Sequence, residues 1–475
     1  MGMLSIGPLA LIGLLLVALG LAYGVMFGLK GPLVGLLAGT GLLVAAFLST
    51  PLSLYLLVYS MLLGPEFVAG GMGGTSATQG RGVTLRFDDF LLAIIGFVWL
   101  AKAAIHKQES PVKRTPLNGP MMFYVAICLF TTLMGVVAGR VKPQTGFFFN
   151  LKYFEYFFVY FMVVNAVDSE KDVRGLIKAS LITCFLVALF GIAQIPSGQR
   201  ASAPFEGEEG EPNTLGGYLV FMMSIVIGLL ITRGAIVPGK RWQFMLLLGA
   251  GLLGIFATLS RSSMLALFIV ATLVIVFTSY RKPLLFVCVL ALMTTSPLWA
   301  PASVKERVTF TFAQESQKGQ IKVGGLKVDT STSERLHSWE NSFKFFQKSP
   351  IWGAGITGSP YFMDAMYPRM ITETGLLGVS AFLIIVYSLF RMTFLCYNRS
   401  PDPAVKGLTL GFGLGLIGLL VHAIGSNTFI IVRIMEPFWL YAAFVAKVFL
   451  TLPSVEASEQ PMQSAHSRAQ LAEVG

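Results

Sequence analysis

The chain has 475 residues, 55% of them hydrophobic and 12% charged, with a mean hydropathy of +0.72. That balance excludes a soluble globular protein and is met by a bundle of membrane helices. A formal net charge of +11 would direct a soluble chain to nucleic acid; here the basic residues sit between apolar runs, where they report topology and give no reason to expect a nucleic-acid partner.

Apolar runs predict about fourteen spans, near residues 5–28, 31–50, 51–69, 86–106, 119–139, 147–166, 174–195, 213–233, 242–260, 262–279, 282–300, 371–396, 404–425 and 428–451. The joints between the first three are short, so twelve or thirteen spans also fit. The opening run, Leu4 to Gly28, has no charged segment before it and no small-residue cleavage site after it, and reads as a retained helix rather than a signal peptide. Cys128, Cys184, Cys288 and Cys396 fall inside or at the end of apolar runs without metal-ligand spacing, which favours packing. The expected fold is all-α: a polytopic membrane bundle with N-terminal helices over 1–301, a long polar loop over 302–370, C-terminal helices over 371–451 and a disordered tail over 452–475.

Basic residues cluster in alternate connections: Lys107, Lys113 and Arg114; Lys171 and Arg174; Arg233, Lys240 and Arg241; Arg281 and Lys282; Arg391, Arg399 and Lys406. The positive-inside rule makes these cytoplasmic and makes the tail cytoplasmic too. The intervening connections, including 140–145, 194–212, the turn at Arg261 and the long loop, then face outward. Arg200, Arg261 and Arg335 land on that outer side, against the charge bias, and become candidates for holding an anion. For Arg261, between Ser260 and Ser262, the competing reading is an arginine that snorkels to the interface and anchors a hairpin.

Arg200 is followed by Pro212-Asn213-Thr214-Leu215-Gly216-Gly217-Tyr218, where Asn213 or Thr214 fits the cap of a helix whose positive N-terminal end would also suit an anion. Glu206, Glu208, Glu209 and Glu211 match no divalent-cation template and read as a solvated loop, so no metal or cofactor is expected. Two intramembrane pairs, Lys152 with Glu155 and Arg433 with Glu436, are either helix-internal ion pairs or parts of a site. His422, at the outer end of its span, fits a hydrogen-bonded structural histidine.

Within the long loop, Ser331 and Glu334 have capping-box spacing, and Leu336, Trp339, Phe343 and Phe346 recur at helical intervals, which predicts an amphipathic helix lying on the bundle. His337 stands beside Arg335 on it. The chain leaves through Pro350, Gly353, Gly355 and Gly358. Asp364 then precedes a helix start at Thr372-Glu373-Thr374, with Glu373 fitting a capping role and Asp364 a candidate base if it faces a cleft.

The series Arg200…Pro212-Asn213…Gly217-Tyr218, Leu259-Ser260-Arg261-Ser262, Arg335…Trp339…Pro350-Ile351-Trp352-Gly353-Ala354-Gly355 and Tyr367…Glu373-Thr374-Gly375-Leu376-Leu377-Gly378 resembles the O-antigen ligase and polysaccharide polymerase superfamily of bacterial inner membranes. The resemblance implies a GT-C-like, metal-independent glycosyltransferase that takes a glycan from undecaprenyl diphosphate on the periplasmic side. By motif position it makes Arg200, Arg261 and Arg335 the diphosphate-binding set and puts Asp364 where the superfamily has its base; Asp364 and Glu373 are the catalytic candidates, and His337, Tyr367, His422 and Arg433 the candidates for support. The acceptor would be another glycan or lipid A core, and a chain-length regulator is a further implied partner. Ligases of the superfamily carry a His-Asn pair ahead of the Tyr; Asp364 and Ala365 stand there instead, which tilts the resemblance toward a polymerase. The competing classes are a ligase and, outside the enzymes, a glycolipid transporter or flippase. A transporter would place charges near the midplane between related halves, and no internal repeat is visible.

Overall fold

The computed structural model describes residues 50–64, 66–69, 83–105, 112–206, 210–232, 241–278, 322–323, 326–327, 329–361 and 363–452. The first two expected spans, the span at 282–300, Cys288, Glu208, Glu209 and the tail beyond Leu452 lie outside them.

The described helices are α1 (Thr50–Leu63), α2 (Phe87–Ile105), α3 (Asn118–Val137), α4 (Pro143–Ala166), α5 (Glu170–Ala193), α6 (Pro212–Thr232), α7 (Arg241–Ala257), α8 (Arg261–Thr278), α9 (Thr330–Phe346), α10 (Met366–Arg399), α11 (Pro403–His422) and α12 (Val432–Thr451). Among the described residues, α3, α4, α5, α6, α10, α11 and α12 are long and apolar enough to cross a membrane, and α1, α7 and α8 are shorter apolar helices. The protein is a polytopic helical membrane bundle. Two short antiparallel ladders were not expected: β1 (Glu66–Ala69) pairs with β2 (Val83–Arg86), and β3 (Lys322–Val323) with β4 (Leu326–Lys327). The run expected as one span over 51–69 therefore stops at Leu63. Pro65 in the sequence disfavours helical backbone at the residue before it.

Helices α6 and α12 are buried on nearly every face and form the centre. Lipid is as apolar as leucine, so contact between spans rests on close approach rather than on a hydrophobic drive. Gly407, Gly411 and Gly415 recur every four residues along α11, and a Cβ at Gly411 would fall 2.7 Å from the Ile225 Cα of α6. Around that seam the aromatic rings meet mostly edge to face, including Phe157 with Trp439 at 4.8 Å and Phe221 with Tyr441 at 5.7 Å.

Helix α10 begins at Met366, several residues before the start expected at 372–374, and breaks at Gly375 (φ 59°, ψ −158°). The segment from Pro350 to Gly355 lies along the break. Leu376 N and Leu377 N donate to Pro350 O and Ile351 O at 2.9 and 3.1 Å, while Ala354 N and Gly355 N donate to Thr372 O and Glu373 O at 2.8 Å each. Those bonds occupy backbone groups that a continuous helix would pair internally. Glycine is required on both sides: Gly353 and Gly375 have positive φ, and a Cβ on either would sit within 2.6 Å of a carbonyl oxygen.

Helix α9 is present, but its expected cap and buried face are both corrected. Asp329 caps it, accepting from Thr332 N at 3.2 Å, and Ser331 lies inside the first turn. The buried face is Ser333, Ser338, Ser342 and Phe345. Leu336 and Phe343 are exposed instead of lying on the bundle as expected, Phe343 by 59%, and Trp339 and Phe346 are half-buried. The small hydroxyl side chains let the helix come close enough to bond the backbone just ahead of α10 and in its first turn: Ser338 Oγ accepts from Asp364 N at 3.1 Å, and Ser342 Oγ donates to Pro368 O at 3.0 Å.

Candidate functional site

The connections around α6, α8, α9 and α10 meet at one end of the bundle. The basic connection carrying Lys113 meets Asp168 at the opposite end, at 2.6 Å. Between the meeting loops is a cavity of about 200 Å³ whose lining includes Arg200, Glu211, Asn213, Arg261, Arg335 and Asp364. Three arginines distant in sequence thus share one wall system, and each is held differently.

Arg200 comes from the loop after α5, pinned to the end of α7 by Ala201 N donating to Ala257 O at 3.0 Å; its own Nε donates to Thr258 O at 3.2 Å. Arg261 opens α8 directly after a turn in which Leu259 has φ 48°, a left-handed conformation that costs a non-glycine residue about 1–2 kcal/mol. Its guanidinium makes a fork to Asp329, with Nη1–Oδ1 at 3.2 Å and Nη2–Oδ2 at 2.9 Å. Arg335 projects from α9 with Nε 3.8 Å from Asp364 Oδ2, and Gly425 lies beside it, closest to Ser262, whose Oγ would be 2.5 Å from a Cβ there.

The N-terminal ends of α6, α8 and α9 also face this cavity through Asn213, Arg261 and Ser331. Each helix turns the positive end of its dipole toward it. Together with the arginines, these dipoles give the wall a chemistry suited to an anion. Glu211 and Asp364 are the carboxylates on the wall. Burial pushes the Asp329 carboxyl up, but the Arg261 fork and the Thr332 N–H outweigh it and hold Asp329 below the usual carboxylate range.

Other sequence candidates stand apart from the lining. Glu373 is buried, accepting at Oε1 from Arg369 Nε and from Thr357 N, both at 3.2 Å, behind the Pro350–Gly355 segment. Tyr367 donates to Leu420 O at 2.6 Å. His337 is 3.6 Å from Glu340 on the outer part of α9. His422 is fully buried, with Nδ1 2.8 Å from Thr428 Oγ1 and Nε2 3.2 Å from Ser263 Oγ.

Arg433 donates to the backbone oxygens of Leu62, Pro204 and Gly64 and lies 3.8 Å from Glu206, tying α12 to the loop that carries Arg200. Its expected partner Glu436 bonds Arg86 instead, at 3.3 Å. Lys152 does meet Glu155, at 3.1 Å, and also Asp89. Glu206 is not solvated as expected: its carboxylate accepts from Ala203 N and Glu211 N and closes the loop.

Sequence reasoning missed Asp329 as the partner of Arg261 and read Glu211 as loop solvation. Asp329 was legible as an N-cap, an acid three residues ahead of a helical Thr332; its reach to Arg261, 68 residues away, was not. Among the described residues, no group of three or more His, Cys, Asp or Glu is placed to hold a metal ion.

No curated protein matches the chain. The family model described as O-antigen ligase matches residues 244–378, the stretch from α7 to the break in α10. That stretch, which holds Arg261, Arg335 and Asp364, is similar to the O-antigen ligase family.

Proposed function

We propose that the protein is an inner-membrane glycosyltransferase that moves glycan units from undecaprenyl diphosphate to a glycan acceptor on the periplasmic side, as a polymerase. The observation that carries the reading is the convergence of Arg200, Arg261 and Arg335 with three helix N-termini on one cavity that also holds a carboxylate, Asp364.

The chemistry follows from that convergence. An acceptor hydroxyl oxygen bonds to the anomeric carbon, the bond from that carbon to the diphosphate oxygen breaks, and the diphosphate leaves with the electron pair. The hydroxyl proton passes to Asp364. Charge develops on the leaving diphosphate, where the arginines stabilise it more strongly than in the ground state. Guanidinium groups keep their charge at any physiological pH and match phosphate oxygens in pairs, so they can supply neutralisation that a divalent cation supplies elsewhere.

The orientation is inferred from charge. Among the described residues, the basic connections with Lys113, Lys171, Arg174, Arg399 and Lys406 lie at the end opposite the cavity, which the positive-inside rule makes cytoplasmic. The crowding of charge at one end, rather than at the midplane between related halves, favours an enzyme over a transporter.

Purified protein in nanodiscs, supplied with lipid-diphosphate glycan, is expected to lengthen the chains without added metal and with EDTA present. Movement of the glycolipid across the bilayer without a new glycosidic bond would support a transporter. Transfer only to lipid A core would support a ligase.

A further inference from the structure

Beneath the cavity runs a line of buried polar groups that the proposed chemistry does not use. Asn213, in the first turn of α6, lines the cavity; behind it Ser260 Oγ donates to Asn213 Oδ1 at 2.7 Å. Ser263 donates from both N and Oγ to Ser260 Oγ, at 3.3 and 2.9 Å. Ser263 Oγ is 3.2 Å from His422 Nε2, and His422 Nδ1 is 2.8 Å from Thr428 Oγ1. Every member is at least nine-tenths buried.

A hydroxyl has one proton to give, so the direction of each bond constrains the next. Ser260 spends its proton on Asn213, and Ser263 spends its own on Ser260. Ser263 Oγ can then only accept from His422, which places the imidazole proton on Nε2. His422 Nδ1 accordingly accepts from Thr428, whose other acceptor, Ser426 O, is farther away at 3.4 Å. With Oδ1 of Asn213 occupied from behind, its amide NH₂ is the end turned to the cavity.

The glycines of the same motif make room for this line. A Cβ at Gly216 would fall 2.1 Å from Ser263 Oγ, and one at Gly217 would fall 2.9 Å from His422 Cε1.

Resting on the glycosyltransferase reading above, we infer that Asn213 is a neutral binding residue for an oxygen of the substrate diphosphate, and that His422 is a positioning residue fixing its amide through Ser263 and Ser260. Arginines bring charge, but an uncharged donor with one fixed orientation adds direction without adding to their mutual repulsion. A reversed amide would turn a carbonyl oxygen on the anion, so the relay acts by excluding that state.

The test uses the full chain in nanodiscs and inorganic pyrophosphate as probe, with binding read by calorimetry and folding by thermal melt. Asn213→Ala is expected to weaken binding about tenfold, the effect of losing one hydrogen bond to a charged group. Ser263→Ala and His422→Leu each cut the relay and are expected to weaken it by several-fold. Together they should cost no more than the larger single effect, because a relay already cut cannot be cut again. His422→Gln, whose amide keeps a donor near the Nε2 position, should recover most of the loss. Wild-type binding in Asn213→Ala and Ser263→Ala, or additive losses in the double variant, would overturn the inference.

Arg200→Ala and Arg261→Ala separate the two readings. If these leave pyrophosphate binding unchanged, the anion site falls and this inference with it. If they abolish binding while the relay variants bind as wild type, only the relay falls. Should His422→Leu not fold, Asn213→Ala and Ser263→Ala decide the matter alone.

Discussion

Arg261 shows what a single residue contributes when two partners compete for it. Its planar fork is engaged by both carboxylate oxygens of Asp329 while it lines the cavity. A lysine keeps the charge but presents one point, so Arg261→Lys is expected to lower kcat/KM by about a hundredfold, the usual scale for one lost transition-state donor, with a melting temperature near wild type. Wild-type turnover would remove Arg261 from the diphosphate site. Asp364→Asn is expected to abolish transfer while pyrophosphate still binds, because the amide keeps the shape and loses the proton acceptor. If that variant stays active, the base is another group or the reaction proceeds by charge stabilisation and alignment alone.

Asp329 also predicts a pH response. Its folded-state acidity is strengthened, so it stabilises the fold above its unfolded pKa of about 3.9 and loses that contribution as pH falls through the lower folded value. Melts between pH 6 and pH 3 should show stability declining on the acid side, and Asp329→Asn should flatten that decline.

At the scale of elements, the break in α10 is what holds the Pro350–Gly355 segment against the helix. Gly375→Ala would put a Cβ about 2.5 Å from Ile351 O and force a residue with a side chain into φ 59°. Such strain costs on the order of 1–3 kcal/mol, so hydrogen exchange at Ala354 and Gly355, whose amides bond across the break, is expected to accelerate while the helix beyond Leu377 stays protected. Unchanged exchange would show that the segment does not depend on the break.

The helices were legible because apolar runs report length directly, and the three arginines stood out because they opposed the charge bias. The orientation of α9 was not legible. Leu336, Trp339 and Phe343 make the stronger apolar pattern, but Ser333, Ser338 and Ser342 make the contacts, and a hydropathy pattern cannot register hydroxyls that bond a neighbouring backbone. The break at Gly375 was hidden because the polar Thr372-Glu373-Thr374 ahead of it reads as the start of a helix and not as the interior of one.

For the whole molecule, orientation carries the functional reading. In a variant lacking Cys128, Cys184, Cys288 and Cys396, a single cysteine at the exposed Lys348 is expected to react with an impermeant thiol reagent once the outer membrane is permeabilised, and one at the exposed Arg399 is not. The reverse pattern would turn the cavity to the cytoplasm and end the periplasmic proposal. The α6–α11 seam sets overall stability: Gly411→Leu must push apart backbones for which even one Cβ is too close, and loss of folded protein is the expected result.

The fork between Arg261 and Asp329 bears on turnover as well as binding. A transferase that keeps three arginines on a diphosphate must afterwards let the spent lipid go, and release is often the slow step. On the proposed function, Asp329, already bonded to Arg261, is an internal anion that would compete for it as the product departs. Asp329→Ser preserves a helix cap but removes that competitor; it is expected to bind pyrophosphate more tightly yet turn over more slowly, stalled by product inhibition.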